Sequence, residues 1–174
     1  MPIDLQGKLR NWIRNGNDFV VGDASGADSA FQKILKSERA VNVEVYFSGD
    51  VARNNLGKWP QIRVDSGLKS SGHAMHTAKD QKMVEDADCG VFLWDRRSVG
   101  TVANLLSLQD CGKDWILYVL ENGTFNMEMS TSKTFIENLE VHNPELVQDA
   151  RKRVRSHQRR VRRNSKNQDD GRLF

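Results

Sequence analysis

Apolar residues fall along this chain in two alternating rhythms. Short unbroken runs, Phe19-Val20-Val21, Val43 to Phe47, Cys89 to Trp94 and Trp115 to Leu120, read as strands buried on both faces. Between them apolar residues recur at helical spacing: Leu5, Leu9, Trp12 and Ile13; then Ala27, Ala30, Phe31, Ile34 and Leu35; then the stretch Ala78 to Ala87; then Val102, Leu105, Leu106 and Leu108. Asn15-Gly16-Asn17 stops the first helix, and Gly112 is placed to cap the last of these. Alternation of this kind predicts an α/β fold, a Rossmann-like open parallel sheet with helices on both faces.

Residues 50–76 break the rhythm with Asn54-Asn55, Gly57, Pro60, Gly67, Ser70-Ser71-Gly72, His73 and His76, and read as a long polar loop of the kind that carries function. Beyond Leu120 the pattern weakens. Phe135, Ile136 and Leu139 suggest a short helix, and a longer one starts at Asn143-Pro144 with Leu146, Val147, Ala150, Val154 and Val161 on one side. The predicted division is a ligand-binding domain over 1–120, a C-terminal helical basic extension over 121–163, and a disordered tail over 164–174.

With 174 residues, 38% hydrophobic and 28% charged, the chain can bury a core as a single domain without a metal or disulfide. The two cysteines, Cys89 and Cys111, read as small core or near-core residues. No Cys/His spacing suits zinc, so neither metal nor cofactor is expected. Residues Met1 to Arg14 lack the apolar centre of a signal peptide, and no apolar run approaches the ~20 residues of a membrane span. A cytoplasmic protein with no membrane partner is the expectation, and a homo-oligomer is compatible with it. The net charge of +3 is uneven: residues 151–174 hold ten Lys/Arg against two Asp, net +8, leaving the remainder at −5. Eight of those cations lie between Arg151 and Arg163, a segment that suits nucleic-acid phosphates or an exposed helix face, with no aromatic residue to stack on bases.

Ligands of open α/β sheets bind at the carboxyl ends of the strands. Three such ends carry unusual residues here: Gly22-Asp23-Ala24-Ser25-Gly26-Ala27-Asp28, the polar loop with Arg53 and Asn54, and Asp95-Arg96-Arg97-Ser98-Val99-Gly100-Thr101. Glycines permit close backbone approach, and the following helix starts offer free amides. Asp23 and Asp28 could equally cap the helix that follows, and Asp80 could cap its own. Trp94 and Trp59 suit base stacking or core packing.

The segment Val21 to Asp28 resembles the Gly-Gly-x-x-Gly-Ala-Asp turn of SLOG-type nucleotide-binding proteins. That superfamily includes cytokinin-activating phosphoribohydrolases and the nucleotide-binding domain of bacterial DNA-processing proteins. Asp80-x-x-Met83, Ala87-Asp88, the Cys89–Trp94 strand and Gly100-Thr101 resemble it too, and are similar to nucleoside 2-deoxyribosyltransferases. The likeness covers about residues 18–120. It implies that Asp80 and Asp95 contact a base or ribose, and that Gly22, Ser25, Gly26, Gly100 and Thr101 line the phosphate or sugar side. The enzymes of both groups carry a Glu shortly after the Gly-Thr turn, where this chain has Asn104. An amide is no anionic nucleophile.

The reading is therefore binding of a nucleotide, nucleoside or related ligand without turnover. Its candidate contacts are Gly22, Asp23, Ser25, Gly26, Asp28, Arg53, Asn54, Asp95, Ser98, Gly100, Thr101 and Asn104. One alternative is an N-glycosidic hydrolase or transferase with Asp80 and Asp95 as catalytic residues. The other is a nucleic-acid-associated protein acting through residues 151–163.

Overall fold

The computed structural model describes residues 1–65, 73–130 and 133–170, with side chains described over 1–65, 76–130 and 134–163. Gly67 and Ser70-Ser71-Gly72 of the polar loop, the side chain of His73 and residues 171–174 of the tail lie outside the described residues. The elements are α1 (Ile3–Arg14), β1 (Phe19–Gly22), α2 (Ala27–Ser37), β2 (Val43–Phe47), β3 (Gln61–Arg63), α3 (His73–Asp86), β4 (Cys89–Trp94), α4 (Val99–Asp110), β5 (Asp114–Glu121), β6 (Thr124–Met129), α5 (Lys133–His142) and α6 (Pro144–Asp170).

The fold is α/β, and its strands form two small sheets instead of the single open sheet expected. β1, β2 and β3 are parallel in that order; β4 and β5 are parallel, with β6 antiparallel on the far edge. Among the described residues no ladder joins β1 to β4. Each strand buries alternate residues on opposite faces. On one face of β5, Tyr118 packs with Leu5 and Leu9 of α1, and this cluster also takes in Phe31 and Ile34 of α2 and Val91 and Leu93 of β4. On the other, Trp115, Leu117 and Val119 pack with Leu105 of α4, Ile136 of α5 and Val147, Ala150 and Val154 of α6. The α1–α2 layer thus spans the two sheets and holds them together.

Several expectations need correction. The chain beyond residue 120 is mostly the helices α5 and α6, as expected, but strand β6 precedes them, and α6 inserts fully buried Ala150 into the same core as α4. Helix α6 also continues to Asp170, through part of the segment expected to be disordered. The hairpin to β6 turns on Asn122 (φ +49) and Gly123 (φ +80), the paired positive dihedrals of a tight two-residue turn. β3 was absent from the sequence reading because its three residues are polar or half-exposed; pairing with β2 alone makes it a strand. α3 begins at His73, earlier than the predicted Ala78, so His76 belongs to a helix and not to a loop. Cys89 and Cys111 are both exposed, not core residues. Cys111 ends α4, and Gly112 follows it at φ +66.

No helix among the described residues is long and apolar enough to cross a membrane.

Candidate functional site

A cleft of about 910 Å³ lies between the two sheets, where β1 and β4 face one another. Its lining mixes apolar side chains, Trp12, Phe31, Val91 and Leu93 among them, with polar groups at both ends of the strands, Asp18 and Asp88 at the amino ends and Asp28 and Ser98 at the carboxyl ends. Of the residues singled out from the sequence, Gly22, Asp28, Arg53, Asp80, Ser98, Gly100, Thr101 and Asn104 meet there.

The carboxyl end is organised around a buried carboxylate. Asp23, at the end of β1, is 0% exposed. Arg53 grips it with Nη2 to Oδ1 at 2.8 Å and Nε to Oδ2 at 3.0 Å, and the Arg53 amide donates to Oδ2 at 3.1 Å. This bidentate geometry is the strong form of an Arg–carboxylate pair. Lys79 of α3, its side chain 4% exposed, stands 3.6 Å from Asp23, 3.7 Å from Asp28 and 3.4 Å from Asp80. Burial alone would raise the Asp23 carboxyl. The hydrogen bonds from Arg53 and the charge of Lys79 prevail and bring it from 3.8 down to about 2. Burial raises the carboxyl of Asp80, with Asp28 adding to the effect and Lys79 opposing it. His76, with Nδ1 3.2 Å from the Ser48 hydroxyl, is lowered by burial and by Arg53 and Lys79. Among the described residues this corner gathers three carboxyl groups, Asp23, Asp28 and Asp80, around the two cations Arg53 and Lys79.

Gly22 makes the cluster possible. A Cβ there would land on the Asp28 carboxylate and Lys79 Nζ, so only a bare backbone lets both close over the strand end. Gly26, the cap of α2, sits at φ +92, a conformation open to glycine and strained for other residues. The turn was expected to receive a phosphate. One amide of that turn is already engaged: Asp28 Oδ2 accepts from the Ala24 amide at 3.0 Å. Asn54 braces the turn by donating to the Asp23 carbonyl at 2.9 Å, and Gln32 ties Gly22, Asn54 and Leu56 together. Ser25 and Gly26 are exposed and lie apart from the cleft lining.

The α4 side is differently charged. Asp95 also lies apart from the cleft lining; its carboxylate accepts from the amides of Arg97 at 3.0 Å and Ser98 at 3.2 Å and shapes the turn. Ser98 Oγ accepts from the Thr101 amide at 3.3 Å. A Cβ on Gly100 would meet nothing closer than Ser98 Oγ at 3.7 Å, while Arg153 Nη1 of α6 would be 4.0 Å from it. A cation therefore stands beside a helix N-terminus, a pairing that favours an anion between them. Asn104 is half-buried one turn further along α4.

Lys79 was not singled out from the sequence, and His76 and Arg153 were placed only in the polar loop and in the basic segment. Each depends on which face of its helix packs inward, which a lone Lys, His or Arg does not announce. The i to i+1 pair Lys79-Asp80 beside Asp28 was the only available signal. Trp94 and Trp59 pack in the core, their Nε1 groups donating to the carbonyls of Ser98 and Ala40. Among the described residues no group of three or more His, Cys, Asp or Glu is placed to hold a metal ion. Comparison with protein-family models, with curated proteins and with solved structures finds no match.

Proposed function

We propose that the cleft binds a nucleotide or nucleoside-like ligand and does not turn it over. The carrying observation is the cleft's lining: a carboxylate corner at Asp28 and Asp80, the start of α4 at Ser98, Gly100 and Thr101, with Arg153 beside Gly100 outside the lining, and apolar side chains as well. Carboxylates accept from sugar hydroxyls, a helix N-terminus with a nearby guanidinium suits phosphate, and apolar walls suit a planar base. Placed end to end through this cleft, the parallel strands would run β3-β2-β1-β4-β5, as in the core of a Rossmann-like sheet, whose ligands bind at its switch point, with β6 added antiparallel at the edge. Asn104 supports binding without cleavage, since loss of a base builds positive charge at the anomeric carbon that an amide cannot neutralise.

The second reading is N-glycosidic cleavage, favoured by the raised carboxyl of Asp80 within the cleft.

One experiment separates them. Purified protein is melted with a panel of nucleosides, nucleoside phosphates and sugar phosphates, and each mixture is analysed for free base. A ligand at 100 times its dissociation constant adds about 2.7 kcal/mol of stability. Gly100→Val should abolish the shift without unfolding the chain, because its Cβ position is open on the protein side. Absence of any shift across the panel would refute the proposal. Free base released by the natural chain and lost in Asp80→Asn would establish the enzyme instead.

A further inference from the structure

Helix α6 changes character along its length. Val147, Ala150 and Val154 are buried in the core and His157 is half-buried, whereas every residue from Gln158 to Arg163 is exposed. The outer face of this stretch is therefore open to solvent, while Gln158, Val161 and Arg162 still border a groove against α3 and α4. The first cations of α6 are already engaged: Arg151 pairs with Glu140 at 3.2 Å and Lys152 with Asp149 at 3.1 Å. Arg155, Arg159, Arg160 and Arg163 are exposed and pair with no carboxylate among the described residues. Arg155, Arg159 and Arg163 follow at successive intervals of four, so they form one stripe about 12 Å long, turned away from the face that carries Val154.

We propose that this exposed stripe of α6 binds the phosphate backbone of duplex nucleic acid without sequence preference. The cations are all arginine, which matches phosphate oxygens with a planar fork. Without an aromatic residue from Gln158 to Arg163 the helix has nothing to stack on unpaired bases, which favours a duplex over a single strand. An anionic membrane fits less well. An interfacial helix needs an apolar face of Trp, Phe or Leu, and the segment from Gln158 to Arg163 offers Val161 alone. The surface is separate from the cleft, so the two proposals stand or fall independently.

The test is fluorescence anisotropy of a labelled random-sequence 20-base-pair duplex with the full chain between 50 and 200 mM salt. Four neutralised phosphates give a slope near −3.6 in log K against log salt, so this fourfold rise in salt weakens binding about 150-fold. The variant Arg155→Gln/Arg159→Gln/Arg160→Gln/Arg163→Gln should lose binding and keep its melting temperature, because these side chains are exposed. A control variant, Arg14→Gln/Lys33→Gln/Lys36→Gln/Arg39→Gln, removes the same charge from exposed positions elsewhere and should retain binding. The proposal is overturned by no binding at 50 mM salt, by equal weakening in both variants, or by tighter binding to phosphatidylserine vesicles or polyglutamate than to the duplex.

Discussion

Replacing Asp23 by Asn keeps the shape of the side chain and removes the charge around which the site is built. Asp23 is fully buried between Arg53 and Lys79, and its carboxyl is held near 2 against a usual 3.8. That drop, at about 1.4 kcal/mol per tenfold change in proton affinity, corresponds to about 2 kcal/mol of folding stability at neutral pH. The sign follows from the direction of the shift. The folded state holds the proton less tightly than the unfolded chain, so the contribution is complete above pH 3.8 and is lost as pH falls through 2. At pH 3 it has shrunk to about 1 kcal/mol. Urea denaturation of the natural chain and Asp23→Asn at pH 7 and pH 3 measures both values. The variant should be about 2 kcal/mol less stable at pH 7, or about 4–8 °C in melting temperature for a chain this size, with the gap roughly halved at pH 3. A loss under 0.5 kcal/mol at pH 7, or an equal loss at both pH values, would refute the idea that the pair with Arg53 and Lys79 stabilises the fold. Arg53→Met, alone and combined with Asp23→Asn, isolates the pair: the double variant should cost well under the sum of the two single losses.

Two further predictions rest on other geometry. Lys113 Nζ donates to the carbonyls of Val84 at 2.9 Å and of Glu85 and Ala87 at 2.7 Å each, closing the end of α3, so Lys113→Met should cost about 1–3 kcal/mol in urea denaturation and speed amide exchange there. His76 is lowered by burial and by Arg53 and Lys79, so the unfolded chain takes up its proton first as pH falls below 6.5; the natural chain should lose stability between pH 6.5 and 5 relative to His76→Gln, and parallel pH profiles would show that His76 contributes nothing there.

The sequence by itself determined the parts whose burial is local and periodic. Helix Ala27–Ser37 and strands Val43–Phe47 and Cys89–Trp94 lie where their apolar patterns put them, because an amphipathic turn or an unbroken apolar run has few other ways to leave water. The Asn122-Gly123 hairpin was also legible and was missed: it follows a strong strand, but Thr124–Met129 is an edge with mostly exposed residues and no clear alternation of burial. Tertiary structure alone decided the rest. β3 is a strand only because β2 offers it a ladder, and α6 belongs to the core only because α4 presents an apolar face to Val147, Ala150 and Val154. The separation of the sheets at β1 and β4 opens the cleft, and no local pattern records it. The same holds for the charges. Asp23, Asp28, Arg53, Lys79 and Asp80 come from four segments, and which carboxylate is buried, which is shared and which faces the cleft depends on how α3 crosses β1 and β2. Local sequence specifies how each segment meets water, while electrostatic neighbours separated by up to some 57 positions in the chain are assigned only when the segments pack.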